Sequence, residues 1–180
     1  MLLTSESDPV HETNAHGLRA DIINTFQTQT GVSMSEKKRL DVQQILDNLK
    51  FEWKPYSEQF HALSSSKKSE FLQRQGFASF HDLLAHILGW WEEAIKIINS
   101  ILDLEELPRK EYDIDAFNTT SMEHFKDWTE EDLLIHFENI RNALMTLVVE
   151  FPPEGMDNPR ISGWLDACLI EHYQEHKINQ

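Results

Sequence analysis

The stretch SFHDLLAHILGWWEEAIKIINSIL, residues 79–102, holds no proline and a single glycine, Gly89. Placed at about 100° per residue, Leu83, Leu84, Ile87, Leu88, Trp90, Trp91, Ala94, Ile95 and Ile98 cover more than half of a helix circumference. A stripe that wide belongs to a helix covered by several neighbours, so this segment is expected at the centre of the fold. Ser79 and Asp82 approximate a capping box, with Asp in place of the longer Glu.

Working outward, Thr129 with Asp132 marks another helix start, and Leu133, Phe137, Ile140, Leu144, Leu147, Val148 and Phe151 form a narrow apolar stripe behind it. Pro152-Pro153 stops that helix, and PPEGMDNPR reads as a loop. A last helix is expected from about Ser162 to Lys177. Between the two long stripes, Leu107-Pro108 opens an irregular acidic connection over 108–128, with a short helix near Asp115–Phe125. On the other side, Leu40, Ile45, Leu46, Leu49, Trp53, Tyr56, Phe60 and Leu63 recur at helical spacing behind Ser35 as N-cap, with a break at Pro55. Ser64-Ser65-Ser66 reads as a loop and Ser69–Gln73 as a short helical turn. The expectation is an all-α domain over 35–180, four main helices with a long connection between the second and third. Residues 1–34, rich in Ser, Thr, Asn and Gln, read as a mobile extension, with Met34 as an alternative start.

Charge narrows the function classes. Acidic residues number 31 against 16 basic, a formal net charge of −15. Such a field repels phosphate backbones and anionic membranes, so neither nucleic acid nor membrane is an expected partner. The most apolar stretch is interrupted by His86, Glu92, Glu93, Lys96 and Asn99, which argues against a membrane span. The N-terminus has neither the basic nor the apolar region of a secretory signal, and Cys168 is the one cysteine. A cytoplasmic protein is expected. No Gly-rich phosphate loop, GxSxG elbow or CxxC pair occurs.

The chemistry points to histidine. Nine are present. His11 and His16 fall in the extension, and His61, His81, His124 and His136 fall at helix ends or edges, where a solvated imidazole is ordinary. In the last helix Ile161, Trp164, Leu165, Cys168 and Leu169 define the apolar arc, and His172 and His176 lie in the same arc. Tyr173, Lys177 and Ile170 are placed on the polar side. The i, i+4 spacing puts two imidazoles one turn apart, within reach of one ion. His86, at the edge of the wide stripe of the central helix, would supply a third and leave a position open. HxxxH also arises by chance, and two such histidines can instead bond to carboxylates or water.

The segments HDLLAHILGWWEEAI and EHYQEH together resemble the DinB/YfiT-like superfamily of four-helix bundles. Its pattern of one His on the second helix and an HxxxH pair on the last long helix corresponds to His86, His172 and His176. GWW, IDAFN at 114–118 and WLDACLIEHYQEH resemble the ClbS/DfsB-like branch, associated with small-molecule or toxin protection. The resemblance implies a divalent metal, zinc or nickel foremost, with copper and ferrous iron also suited to imidazole. It implies a small-molecule substrate handled by thiol transfer, hydrolysis or detoxification. Some members of that branch lack the triad, which leaves a metal-free binding or scavenging protein as the alternative, and a homodimer as a further arrangement. Glu93 and Glu175 are candidates to orient an imidazole or act as general base, although carboxylates are common in so acidic a chain. Cys168 is a fourth ligand or nucleophile, or simply a small buried packing residue. Asp115 and Asn118 of IDAFN are candidates for the mouth of the site, and Trp90, Trp91 and Trp164 are read as core.

Overall fold

The computed structural model describes residues 40–103, 111–152 and 155–178. Among these the structure is all-helical. The extension at 1–34, Ser35 and the Leu107-Pro108 boundary lie outside the described residues.

The first helix among the described residues, α1 (Val42–Asp47), opens later than its apolar spacing implies. Asp41 stands in extended backbone, and its carboxylate accepts from the Gln44 amide at 2.7 Å, satisfying a free donor of the first turn. The helix continues as a π-helical stretch, Asn48–Trp53, and breaks at Lys54–Pro55, where proline lacks an amide hydrogen. Helix α2 (Tyr56–Ala62) comes next.

The serine run is not a loop. Only Ser64 is outside the helix: its hydroxyl caps α3 (Ser65–Gln75), which is longer than the turn expected there. Gly76, at φ +78°, ends α3 in the left-handed region, where a side chain would strain the backbone.

Helix α4 (Phe80–Leu102) starts at Ser79, whose hydroxyl accepts from Asp82 N. Every member of its predicted stripe is buried except Ile95, which is half-buried. Helix α5 (Ile114–Phe125), capped by Asp113, is the short helix expected near Asp115–Phe125 within the connection. Helix α6 (Glu130–Val149) opens on the Thr129–Asp132 capping box, with both reciprocal bonds formed.

A 3-10 turn, Gly155–Asp157, precedes the last helix, α7. It begins at Pro159, earlier than expected, because Asn158 caps it and proline suits a first-turn position. It runs through Pro159–Leu165, a π-helical stretch Asp166–Glu171, and His172–His176.

The central helix α4 packs against α5, α6 and α7; α1 packs against α6, and the π stretches of α1 and α7 meet. The long segments α1, α6, α4 and α7 thus contact one another in a ring. Their shared core is aromatic: Trp53 lies edge-on to Trp91 with ring centroids 5.0 Å apart, and Trp91 stacks on Phe137 at 4.8 Å. Rings of this size contribute on the order of 4–6 kcal/mol each from apolar burial, before ordering costs.

Both π stretches are held from outside. Trp53 Nε1 donates to the Leu169 carbonyl and Trp91 Nε1 to the Cys168 carbonyl, each at 3.0 Å. Arg141 Nη1 reaches the Leu49 carbonyl at 3.3 Å, and Arg141 is itself buried. Donors inserted from neighbouring helices compete with the regular ladder and accommodate the wider turn. The wider turn also rotates the residues beyond it. Tyr173, placed by an ideal wheel on the polar side, is buried at 6% exposure, while Ile170 and Lys177 are half-buried.

Helices α4 and α5 approach closely because Gly89 has no side chain. A Cβ there would lie 2.2 Å from Ser121 Oγ and 2.5 Å from Ser121 Cβ. This contact draws α5 down onto the part of α4 that carries His86.

Candidate metal centre

His86 projects from α4, and His172 and His176 from the last turns of α7. All three are buried, at 5%, 3% and 7% exposure respectively. Their side chains converge: His86 Nε2 lies 2.9 Å from His172 Nε2 and 3.3 Å from His176 Nε2. One nitrogen from each ring falls within 4.8 Å of the others. Each imidazole nitrogen has one lone pair or one hydrogen, so His86 Nε2 cannot bond fully to both neighbours.

The two separations from His86 fit a cation. Nitrogens bound to zinc at about 2.0–2.1 Å, at tetrahedral or right angles, stand about 2.9–3.4 Å from one another. Metal ligation needs neutral imidazole, and the surroundings of His172 and His176 favour that form. Burial is the largest influence lowering the His172 pKa well below 6.5, followed by His86 nearby. For His176 burial again dominates, followed by His172 and His86. The Cys168 carbonyl pulls His172 in the opposite direction, but falls short of a hydrogen bond: Nδ1 of His172 is buried without a partner.

The other two rings are held from behind. His86 Nδ1 lies 3.1 Å from Asn118 Oδ1 on α5, and the same oxygen accepts from Trp90 Nε1 at 2.9 Å. His176 Nδ1 lies 2.7 Å from Gln75 Oε1, while Gln75 Nε2 donates to the Glu175 carbonyl at 3.1 Å. Tyr56, whose phenol is kept protonated chiefly by burial, donates to the His176 carbonyl at 2.8 Å. The ring of Phe77 closes one side, 5.2 Å from His86 and 5.9 Å from His176. The left-handed turn at Gly76 lets Gln75 and Phe77, on either side of it, both reach the cluster.

The remaining candidates lie apart from this set. Glu93 is buried; Tyr112 Oη donates to it at 2.6 Å and Lys96 Nζ lies 3.5 Å away. Glu175 serves the site through its main-chain carbonyl. Cys168 is buried, and its thiol is pushed up in pKa by burial and by Glu93, which suits packing rather than nucleophilic attack. Of IDAFN, Asn118 touches the site, whereas Asp115 is exposed. His61 and His124 are exposed and His81 and His136 half-buried, as expected of edge positions; His11 and His16 lie outside the described residues. Among the described residues no carboxylate or thiol joins the three histidines, and no helix is long and apolar enough to cross a membrane.

Sequence reasoning missed Gln75, Phe77 and the polar role of Trp90. The signal for Gln75 was Gly76, a helix-ending residue directly after it. Compared with known protein families, curated proteins and solved structures, the chain matches none.

Proposed function

We propose that this chain is a DinB-like, metal-binding protein in which His86, His172 and His176 hold a divalent ion, zinc or nickel foremost, and that it handles a small-molecule substrate there. The observation carrying this reading is the convergence of three buried Nε2 atoms at 2.9 and 3.3 Å from His86. The helix ring and the origin of the ligands, one from α4 and two from α7, favour the bundle.

A bound ion would lower the pKa of a water or thiol, or polarise an electrophile, the chemistry behind thiol transfer, hydrolysis and detoxification. The residues around it supply neutral ligands and, through Phe77 and the aromatic core, exclude water. Three described ligands leave coordination positions for an exchangeable group.

Titration of zinc and nickel into metal-free protein tests the proposal. Saturable binding of about one ion per chain is expected, lost in His86→Ala with helicity kept. Equal binding by His86→Ala and the parent chain would overturn it.

A further inference from the structure

A carboxamide behind a histidine is ambiguous. Its oxygen accepts from Nδ1–H and leaves Nε2 with a lone pair; flipped, its NH2 donates to Nδ1 and leaves a hydrogen on Nε2. Only the first arrangement allows ligation through Nε2. At both carboxamides of this site a third group settles the choice.

Behind His86, the atom of Asn118 that meets Nδ1 is also 2.9 Å from Trp90 Nε1. An indole N–H donates only, so the shared atom is the oxygen. Behind His176, the opposite end of Gln75 meets the Glu175 main-chain carbonyl at 3.1 Å. A carbonyl accepts only, so that end is the NH2, and the oxygen faces Nδ1 at 2.7 Å. A donor clamps one amide and an acceptor clamps the other, with the same result.

We propose that Asn118, oriented by Trp90, and Gln75, oriented by the Glu175 carbonyl, are positioning residues that lock His86 and His176 as Nδ1–H tautomers with Nε2 lone pairs facing a cation. This rests on the metal-binding reading above. Two lone pairs then face each other across 3.3 Å, an arrangement that a cation between them relieves. His172 has no such lock, since its Nδ1 is unpartnered. His172 Nε2 lies 2.9 Å from His86 Nε2, so with no ion between them a hydrogen on His172 Nε2 would donate to the His86 lone pair, and it would move to Nδ1 when an ion arrives. One ring thus changes tautomer on loading while the other two are preset.

Long-range 1H–15N spectra of metal-free protein distinguish the tautomers directly, and zinc titration is run on the same samples. The parent chain should show His86 and His176 as Nδ1–H and His172 as Nε2–H. Trp90→Phe removes the clamp, so His86 should gain Nε2–H and zinc affinity should fall about 10- to 100-fold. Adding Asn118→Asp should restore both, because a carboxylate has no donor end to flip inward. A purely structural role for Trp90 predicts no such rescue. Should Trp90→Phe fail to fold, Asn118→Leu at its half-buried position carries the same two readouts.

His86 as Nε2–H in the parent chain, or a His86 tautomer indifferent to positions 90 and 118, would overturn the lock. Locked tautomers in a parent chain that takes up no zinc would sink the metal reading and leave the lock standing. Zinc binding with an indifferent His86 tautomer would sink the lock alone.

Discussion

His86 Nε2 stands 2.9 Å from His172 Nε2, although the two residues are 86 positions apart in the chain. Neutral imidazoles in an apolar interior need partners, and these two have turned their nitrogens towards each other and towards His176. The packing of α4 on α7 is therefore what brings the three histidines together.

Loss of either C-terminal histidine should abolish tight metal binding while sparing the fold. His172→Ala and His176→Ala each remove an imidazole at the end of α7; His172 lies edge-on to Trp53 at 6.2 Å, but the Trp53–Trp91 and Trp91–Phe137 contacts of the core do not involve either ring. Affinity for zinc should fall by more than the about 10- to 100-fold seen when a group behind a ligand is lost. Competition against a chromophoric chelator measures this, with circular dichroism as the check on folding.

The metal-free protein should lose stability as pH falls below 6.5. His172 and His176 stay neutral in the fold, their pKa values held well below 6.5 by burial and neighbouring imidazoles. Unfolded, both take up a proton near 6.5, so the unfolded state binds more protons in this window and stability drops with pH. The slope approaches about 1.4 kcal/mol per pH unit for each residue and levels off below the folded pKa values. Urea unfolding at about pH 7.5 and about pH 5.5 reads it out, and His172→Gln/His176→Gln should flatten the difference.

Gly89→Ala should push α5 from α4. Its Cβ would meet Ser121 Oγ at 2.2 Å, so one helix must shift, at a cost of about 1–3 kcal/mol. Asn118 lies one turn before Ser121, so the His86–Asn118 bond should loosen and zinc affinity fall as well. Gly89→Ala/Ser121→Gly, which restores the space, should recover most of both. Loss of stability with unchanged zinc affinity would show that the helix spacing does not set the site.

The indole donors should matter to stability beyond their bulk. Trp91→Phe keeps an aromatic ring but leaves the buried Cys168 carbonyl without the donor that reaches it at 3.0 Å. About 1–3 kcal/mol should be lost. Trp53→Phe should behave similarly through the Leu169 carbonyl. Denaturant midpoints measure both, and values near zero would indicate that the π stretch of α7 does not depend on them.

The helical architecture was legible where local pattern and packing agree. The wide stripe of α4 and the Thr129–Asp132 box appear as read, and His86, His172 and His176 meet because two apolar faces bring them together. What escaped depends on partners distant in sequence. The π stretches are accommodated by Trp53, Trp91 and Arg141 from other helices, so an ideal wheel misplaced Tyr173. Ser65 and Ser66 resemble loop residues, but with Ser64 as cap they open α3, the helix that delivers Gln75. Trp90 reads as core by its spacing, and its N–H has a role only once Asn118 is beside it.

X-ray absorption on the zinc-loaded chain tests the central claim most directly, because it identifies the atoms around the ion. Three imidazole nitrogens at about 2.0–2.1 Å are expected, with imidazole scattering lost in His172→Ala/His176→Ala. A chain that takes up no zinc, or holds it without imidazole, would contradict the account and direct attention to a metal-free binding pocket.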